Sequence, residues 1–225
     1  MAEGGIDPRE AERKEVKELM DHILMKGDTW YLLDIHWFHQ WKRYIGWDEL
    51  EGTDPNSHPG PVDNSSILSG QTLKEHLTED VDFVLVPEKV WDLFCTQYTL
   101  AIGQEPIGRK VVDQGLLSSY LGIEIYLTEL KVARYPEVEK TISLSFSKTD
   151  SLENVEQAFR KAFRVPDSQP VRLLNRLDGN QTYEELAQKK QSIQELSLTS
   201  SQTIVGEVRN EDGTWPRKTQ SSSKR

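Results

Sequence analysis

Helical stripes of apolar residues and two strand-like runs organise the first hundred residues. Residues 29–33 and 83–86 are short runs rich in β-forming residues, which predict buried strands. Elsewhere, apolar side chains recur three and four positions apart, as on one face of a helix. These stripes are Val16, Leu19, Met20, Ile23 and Leu24, then Trp37, Phe38, Trp41, Tyr44 and Ile45, then Val90, Trp91, Phe94, Cys95 and Tyr98. Aromatic residues at this spacing indicate a helical core more than a ligand platform.

Weaker patterns lie between these elements. Residues 46–66 collect glycine, proline and asparagine and predict a loop. Leu73, His76 and Leu77 have the spacing of a short helix after Gly70. The stretch 104–113 either completes a small sheet or forms a hairpin that links the two halves of the chain.

The second half has the alternation of a mixed α/β fold. Residues 141–146 alternate apolar and polar side chains and predict a half-buried strand, and 171–174 and 203–208 predict two more. A helix is predicted to open at Asp150, with Glu153 as its capping-box partner. Its apolar face comprises Leu152, Val155, Phe159, Ala162 and Phe163, and its solvent side carries Arg160, Lys161 and Arg164. If residues 122–130 supply a first strand, the order is that of a β-grasp domain.

Composition sets limits on the class of protein. The 225 residues include one cysteine, which excludes internal disulfides and fits a reducing compartment. No apolar run approaches the roughly 20 residues that span a bilayer, and the N-terminus has no signal-peptide pattern. We therefore expect a cytoplasmic and nuclear protein with no membrane partner.

The net charge of −10 is unevenly distributed. Residues 1–118 hold 22 acidic and 11 basic side chains, whereas residues 119–225 hold 15 and 16. An acidic front half argues against nucleic acid as a partner, because phosphate binding needs a basic surface. It is compatible with basic protein partners, or with a solvated surface that aids solubility.

The residues offer little catalytic chemistry. Cys95 is the only candidate nucleophile, but it lies in an apolar helical stripe, where free cysteine is usually a small buried hydrophobe. His36 and His39 could share a helix face, yet two lone histidines beside Trp37 and Phe38 make a poor zinc site. There is no glycine-rich phosphate loop. We expect no catalytic residue, no metal and no cofactor.

Several motifs together resemble a known tandem of domains. Residues 123–127, the helix start at 150–155 and residues 165–174 are similar to the layout of ubiquitin, although no Gly-Gly follows the last strand. Residues 26–33, 37–41, 59–64 and 73–77 resemble a DUSP domain, the domain in ubiquitin-specific proteases. With residues 82–87, 103–112 and 210–217, the chain resembles the N-terminal DUSP–ubiquitin-like tandem of the ubiquitin-specific proteases four, eleven and fifteen.

This resemblance implies an α+β fold: a DUSP helical tripod with a three-stranded antiparallel sheet, followed by a β-grasp ubiquitin-like domain. The expected divisions are a disordered N-terminus (1–8), a DUSP domain ending in a linking hairpin (9–118) and the ubiquitin-like domain (119–209). A flexible linker (210–225) would lead towards an absent catalytic domain.

The function implied is that of a monomeric, non-catalytic module that regulates a deubiquitinase and docks its partners. The implied partners are the downstream protease catalytic domain, whose ubiquitin release it would speed, and helical-repeat splicing-associated proteins. The alternative is a ubiquitin mimic that blocks a ubiquitin-binding groove through apolar sheet residues around Leu173 and Ile204.

Two stretches are candidates for partner contact. Pro59, Gly60 and Pro61 would form a rigid exposed loop, or would only cap the helical core. Ile107, Val111 and Val112 are the candidates in the linking segment, unless they serve only to pack a hairpin.

Overall fold

The computed structural model describes residues 7–48, 54–114, 120–177, 182–200 and 202–217. It divides into two compact units, residues 1–125 and residues 126–225. Both units combine helices with β-sheet, as the α+β prediction required. The predicted boundary between residues 118 and 119 lies outside the described residues, so the predicted domain bounds remain a prediction.

The first unit alternates helices with short strands. Its elements are α1 (Pro8–Met20), β1 (Thr29–Asp34), α2 (Ile35–Ile45), β2 (Leu68–Ser69), β3 (Thr72–Leu73), β4 (Phe83–Pro87), α3 (Glu88–Tyr98), β5 (Gly108–Gln114) and β6 (Tyr120–Ile123). The main sheet has the order β4-β1-β5-β6, and each neighbouring pair is antiparallel. Strands β4, β1 and β5 form the predicted three-stranded antiparallel sheet, and β6 is added by the predicted linking hairpin.

Strand β5 pairs with two different strands along its length, β1 and then β6. Its first residues pair with β1, with Lys110 opposite Thr29. Its second half pairs with β6, with Val111 opposite Ile123. The segment thus both completes the sheet and forms a hairpin, which were the two options left open by the sequence.

A buried glutamate joins the three helices of this unit. Glu12 on α1 accepts a hydrogen bond from Trp41 Nε1 on α2 at 2.8 Å and another from the Tyr98 hydroxyl on α3 at 2.8 Å. Trp41 packs edge-on against Phe94, with ring centroids 4.8 Å apart. The aromatic stripes are core, as predicted, and the carboxylate satisfies the polar atoms that they bring inside.

Two predictions for the first unit are wrong in detail. Helix α1 begins at Pro8, capped by the Asp7 side chain, and ends at Met20, so Ile23 lies beyond the helix and is 80% exposed. The segment after Gly70 forms the β2–β3 hairpin and turns, and no helix. Gly70 has a φ of +64°, which suits a tight hairpin turn and removes the helical alternative.

The second unit is a β-grasp. Its elements are β7 (Thr128–Arg134), β8 (Ile142–Phe146), α4 (Leu152–Phe163), β9 (Val171–Arg176), β10 (Tyr183–Leu186) and β11 (Thr203–Val208). The described sheet has the order β10-β9-β11-β7-β8, in which β11 and β7 are parallel and the other pairs are antiparallel. Helix α4 covers one face with Leu152, Val155 and Phe159. The predicted first strand, 122–130, overlaps β7 only from Thr128 onward, because Ile123 pairs with β5 and the β-grasp begins at Thr128.

The start of α4 differs from the prediction by one residue. Ser151, not Asp150, is the N-cap, and Asn154 completes the capping box in place of Glu153. Asp150 instead accepts a hydrogen bond from the Ser147 backbone N–H at 2.9 Å. Both residue types suit a cap, so composition alone could not choose between them.

Arg160 was expected to face solvent but is buried. Its guanidinium donates to Glu156 Oε1 at 2.7 Å and to the Pro166 and Gln169 carbonyls, each at 2.9 Å. Lys189 Nζ lies 2.7 Å from the other Glu156 oxygen. A buried arginine is tolerated here because its donors are paired with a carboxylate and two carbonyls.

Gly206 marks a close approach between β11 and α4. A Cβ atom built at this position would lie 2.2 Å from two ring carbons of Phe159, which is fully buried. Glycine weakens a strand interior in isolation. Here its missing side chain is what lets the helix lie against the sheet.

We expect Gly206→Ala to destabilise the second unit by about 1–3 kcal/mol, because the added methyl group overpacks a core that cannot move aside. Urea denaturation measures the change. Adding Phe159→Leu to the Gly206→Ala chain should relieve the clash. The double variant should then lose less stability than the sum of the losses of the two single variants, as a double-mutant cycle would measure.

Gly122→Ala is the matched control for Gly206→Ala. It also adds a methyl group to a strand glycine, but the neighbouring atoms belong to the Gln114 side chain, which can move. A Gly206→Ala protein as stable as the wild type would contradict the packing argument.

Candidate docking surface

The loop of residues 58–64 is held against α2 at its first half. Trp37 Nε1 donates to the Gly60 carbonyl at 3.3 Å, and Gln40 Nε2 donates to the His58 carbonyl at 3.1 Å. The Gly60 N–H donates to His58 Nδ1 at 3.0 Å. Gly60 has a φ of +70°, a conformation that L side chains rarely adopt. The turn between the two prolines therefore depends on glycine.

The second half of the loop is anchored by backbone pairing. The Val62 N–H donates to the Thr99 carbonyl, and the Ala101 N–H donates to the Val62 carbonyl, each at 2.9 Å. The Val62 side chain is fully buried in the helical core. These bonds connect the loop to the segment that follows α3.

Asn64 closes the loop with a buried polar contact. Its Oδ1 accepts from the Asp34 backbone N–H at 2.8 Å, and its Nδ2 donates to the Leu32 carbonyl at 3.2 Å. Asp34 in turn caps α2 by accepting from the Trp37 N–H at 2.8 Å. The end of the loop, the end of β1 and the start of α2 thus share one network of hydrogen bonds.

The predicted loop residues differ in exposure. Pro61 is exposed, whereas Pro59 and Gly60 are half-buried. Part of the loop is therefore structural and part of it is available to a partner. Proline carries no N–H group, so the exposed turn presents few unpaired donors. Contact with a partner through Pro59, Gly60 and Pro61 stays a prediction.

The candidates in the linking segment are buried. Ile107 and Val111 pack in a cluster with Trp30, Leu32 and Phe83, and Val112 is also buried. The Leu32 N–H donates to the Ile107 carbonyl at 3.1 Å. The hairpin-packing explanation accounts for all three side chains, and none of them presents a surface to a partner in this conformation.

The first unit has an acidic cleft whose lining residues were not identified from the sequence. It has a volume of about 430 Å³ and is lined in part by Glu18, Asp21, Asp28 and Glu88. Asp28 contacts His22 Nε2 at 2.9 Å. The sequence indicated only an acidic surplus in this half, because the carboxylates come from three separate elements that the fold brings together.

The sheet residues proposed for ubiquitin mimicry face the core and not the solvent. Leu173 and Ile204 are buried under α4, in the same cluster as Phe159. The opposite face of the sheet carries Leu174 and Val205, which are also buried. Leu173 and Ile204 therefore cannot supply the surface that this hypothesis requires.

Residues 210–217 were predicted to be the start of a flexible linker, but the structure places them on the second unit. The Asn210 N–H donates to the Thr214 carbonyl at 2.9 Å, which closes a turn. The guanidinium of Arg172 lies 4.6 Å from the centroid of the Trp215 ring. The sequence could not indicate the contact of Trp215 with β9, because Arg172 lies far away along the chain. The rest of the predicted linker, 218–225, lies outside the described residues.

Comparison with known proteins agrees with this architecture. A family model of the DUSP domain matches residues 27–113, and a model described as a ubiquitin-like domain matches residues 129–217. The chain is 43% identical over 223 residues to ubiquitin carboxyl-terminal hydrolase 15 of Rattus norvegicus, across 96% of this chain and 23% of that protein. It is 41% identical over 232 residues to ubiquitin carboxyl-terminal hydrolase 4 of Bos taurus, across 99% of this chain and 24% of that protein.

This chain belongs to the DUSP–ubiquitin-like tandems of the ubiquitin-specific protease four, eleven and fifteen subfamily. It spans about a quarter of the length of the curated relatives it matches. A solution structure of the C-terminal ubiquitin-like domain of mouse tubulin-specific chaperone e is also similar, at 18% identity and a TM-score of 0.31, over 42% of this chain and 91% of that one.

The DUSP–ubiquitin-like tandem contains the two matched domains and no match to a protease catalytic domain. Burial raises the pKa of the half-buried Cys95 thiol, and the Asp92 carboxylate raises it further. A catalytic thiol needs the opposite shift, towards thiolate. Cys95 therefore lacks the environment of a nucleophile.

The described residues hold no group of three or more His, Cys, Asp or Glu side chains placed to bind a metal ion. Across the same residues, no helix has the length and apolar character needed to cross a membrane.

We expect Asn64→Ala to destabilise the DUSP unit by about 2–4 kcal/mol, because it leaves a buried N–H and a buried carbonyl without partners. Thermal denaturation measures the loss. Amide hydrogen exchange at Val62 and Ala101 should accelerate as well, since the loop loses its anchor at Asn64.

Asn56→Ala serves as the control, since the Asn56 side chain is exposed on a neighbouring turn. It should change stability by less than about 0.5 kcal/mol. An Asn64→Ala protein that matched this control would show that the buried amide does not hold the loop.

Proposed function

We propose that this chain is a non-catalytic regulatory and protein-docking module of a deubiquitinating cysteine protease. The family assignment supports a regulatory module. The chain has a DUSP and a ubiquitin-like domain, and it is similar in sequence to ubiquitin carboxyl-terminal hydrolases. The proposed partners are the catalytic domain of such a protease and helical-repeat proteins associated with splicing. The chain would act as a monomer, in the cytoplasm and the nucleus.

The observation that carries this proposal is the anchoring of the loop at residues 58–64. Hydrogen bonds from Trp37 and Gln40, the backbone pairing of Val62 and the buried amide of Asn64 all hold it before any partner binds. A preordered surface loses less conformational entropy on binding than a flexible one. The loop is therefore suited to recognition, with Pro61 among its exposed residues.

The acidic cleft supports a protein partner over nucleic acid. Carboxylates from α1, the loop before β1 and the start of α3 converge there, and they would repel a phosphate backbone. A partner with basic side chains would meet a complementary potential, which favours the rate and specificity of association.

We expect Pro61→Glu to weaken the capture of helical-repeat partners from nuclear extract by about tenfold, which corresponds to one well-placed contact. The variant leaves Gly60, and hence the turn, unchanged, so its Tm should equal that of the wild type. Quantitative mass spectrometry of the captured proteins measures the effect.

Thr72→Glu is the matched control, because it adds the same charge at an exposed position outside the loop. Equal capture by the two variants would remove the loop from the proposed docking surface.

Adding the chain in trans to an isolated protease catalytic domain tests the regulatory part of the proposal. We expect the turnover number for a fluorogenic ubiquitin substrate to rise by about threefold, as when product release limits turnover. Competitive inhibition by the chain would instead favour the ubiquitin-mimic hypothesis. Unchanged kinetics would contradict both.

A further inference from the structure

The two edge strands of the described ubiquitin-like sheet differ in composition. In the order β10-β9-β11-β7-β8, the strands β10 and β8 each have a single neighbour. Strand β10 carries Glu184 and Glu185, and Glu185 Oε2 lies 3.3 Å from Arg172 Nη1. Strand β8 has the sequence Ile-Ser-Leu-Ser-Phe, which contains no charged residue and no proline. Since charges and proline on an edge strand discourage pairing with another chain, β10 is protected in this way and β8 is not.

One side of the β8 backbone is available for pairing. The strand pairs with β7 along its whole length, from Val132 opposite Ile142 to Thr128 opposite Phe146. In an antiparallel pair, every second residue directs its N–H and C=O groups away from the partner strand. Among the described residues, no backbone hydrogen bond outside the β7–β8 pair involves Ile142–Phe146. Strand β8 therefore offers a row of backbone donors and acceptors to an added strand.

The side chains of β8 present no barrier to such a strand. Ile142 and Leu144 are half-buried and pack against the apolar cluster beneath α4, as does Phe163 at the end of that helix. Ser143 and Ser145 occupy the alternate positions and are exposed. An added strand would extend the apolar layer on the helix side and would meet only small hydroxyl groups on the other side.

A cleft of about 500 Å³ lies at the start of β8. It is lined in part by Lys140, which precedes the strand, by Arg134 and Tyr135 at the end of β7, and by Phe163. Lys140 Nζ donates to Glu137 Oε1 at 2.6 Å, whereas the Arg134 guanidinium makes no ion pair with a described carboxylate. The cleft thus combines aromatic side chains with one unmatched positive charge, which favours a ligand that is both apolar and acidic.

A second copy of this chain is a poor occupant of the β8 edge. Antiparallel self-pairing of the whole strand about Leu144 would place Lys140 of one copy opposite Lys148 of the other. Like charges directly opposite each other destabilise a strand pair. A partner segment that is acidic next to its strand avoids this repulsion.

We propose that β8 is a docking site at which an extended, acidic segment of a partner protein adds to the sheet as a further strand. Its backbone would bind the outward N–H and C=O groups of β8, as in other cases of strand addition. At the end beside Lys140, an apolar side chain would enter the cleft against Phe163, and a neighbouring carboxylate would pair with Arg134. This site is separate from the loop of residues 58–64, so its test does not depend on the function proposed above.

Two synthetic peptides test the proposal on the full chain. Thr-Val-Thr-Val-Phe-Asp-Asp would bring its acidic end to the cleft when it lies antiparallel to β8, and the reversed sequence would do so when it lies parallel. We expect at least one of them to bind with a Kd below about 1 mM. At saturation it should slow amide hydrogen exchange at alternate residues of β8 by about fivefold or more, as followed by NMR. Exchange in β10, the charged edge, is the internal control and should not change.

Arg134→Glu should weaken the binding of that peptide by about tenfold or more, because attraction of the carboxylate becomes repulsion. Lys161→Glu is the matched control, since it reverses a charge at an exposed position of α4 that does not line the cleft. It should change the Kd by less than about threefold, because a distant surface charge is screened by salt. Both variants should keep the Tm of the wild type.

Three results would overturn the proposal. The first is that neither peptide binds below about 1 mM. The second is binding that leaves amide exchange in β8 unchanged, which would place the peptide elsewhere. The third is an equal response to the two substitutions, which would show that the cleft does not recognise the acidic end.

Discussion

A single buried amide, that of Asn64, connects the parts of the DUSP unit on which its surface depends. It binds the backbone of Leu32 and Asp34 at the end of β1, where the chain passes directly into α2. Asp34 uses its side chain to cap that helix. A strand-to-helix junction without an intervening loop leaves backbone groups that need partners, and the loop of residues 58–64 supplies them. Sheet, helix and loop are consequently ordered together.

In the helical core of this unit, too, buried polar groups are given hydrogen-bond partners. Tryptophan and tyrosine bring polar atoms with their rings, and Glu12 accepts hydrogen bonds from Trp41 and Tyr98 on two other helices. Desolvation and the Glu12 carboxylate both raise the pKa of Tyr98, so its hydroxyl remains a donor. The exposed loop can thus be rigid because the interior beneath it is both packed and satisfied.

In the ubiquitin-like unit, by contrast, apolar side chains are buried on both faces of the sheet. Helix α4 lies on one face, as close as Gly206 allows. On the other face, Tyr135, Val138 and Tyr183 pack against the buried cluster that includes Leu174 and Val205. Each side of this sheet also has a buried arginine with a carboxylate partner: Arg160 pairs with Glu156 within α4, and Arg172 on β9 pairs with Glu207 on β11.

The sequence by itself determined the regular elements whose periodicity is local. It determined the aromatic helices α2 and α3 and the strands β1, β4, β8 and β11, whereas a DUSP fold before the β-grasp was implied by resemblance to known motifs. These elements follow from side-chain spacing, which any stretch of chain carries within itself. Only the tertiary structure decided which side chains are available to partners. Burial of Arg160, Ile107 and Val111, pairing of Ile123 with β5 and docking of Trp215 on Arg172 all depend on residues distant in the chain. Periodicity along one segment contains no information about such contacts, because they arise when separate segments compete for the same buried space.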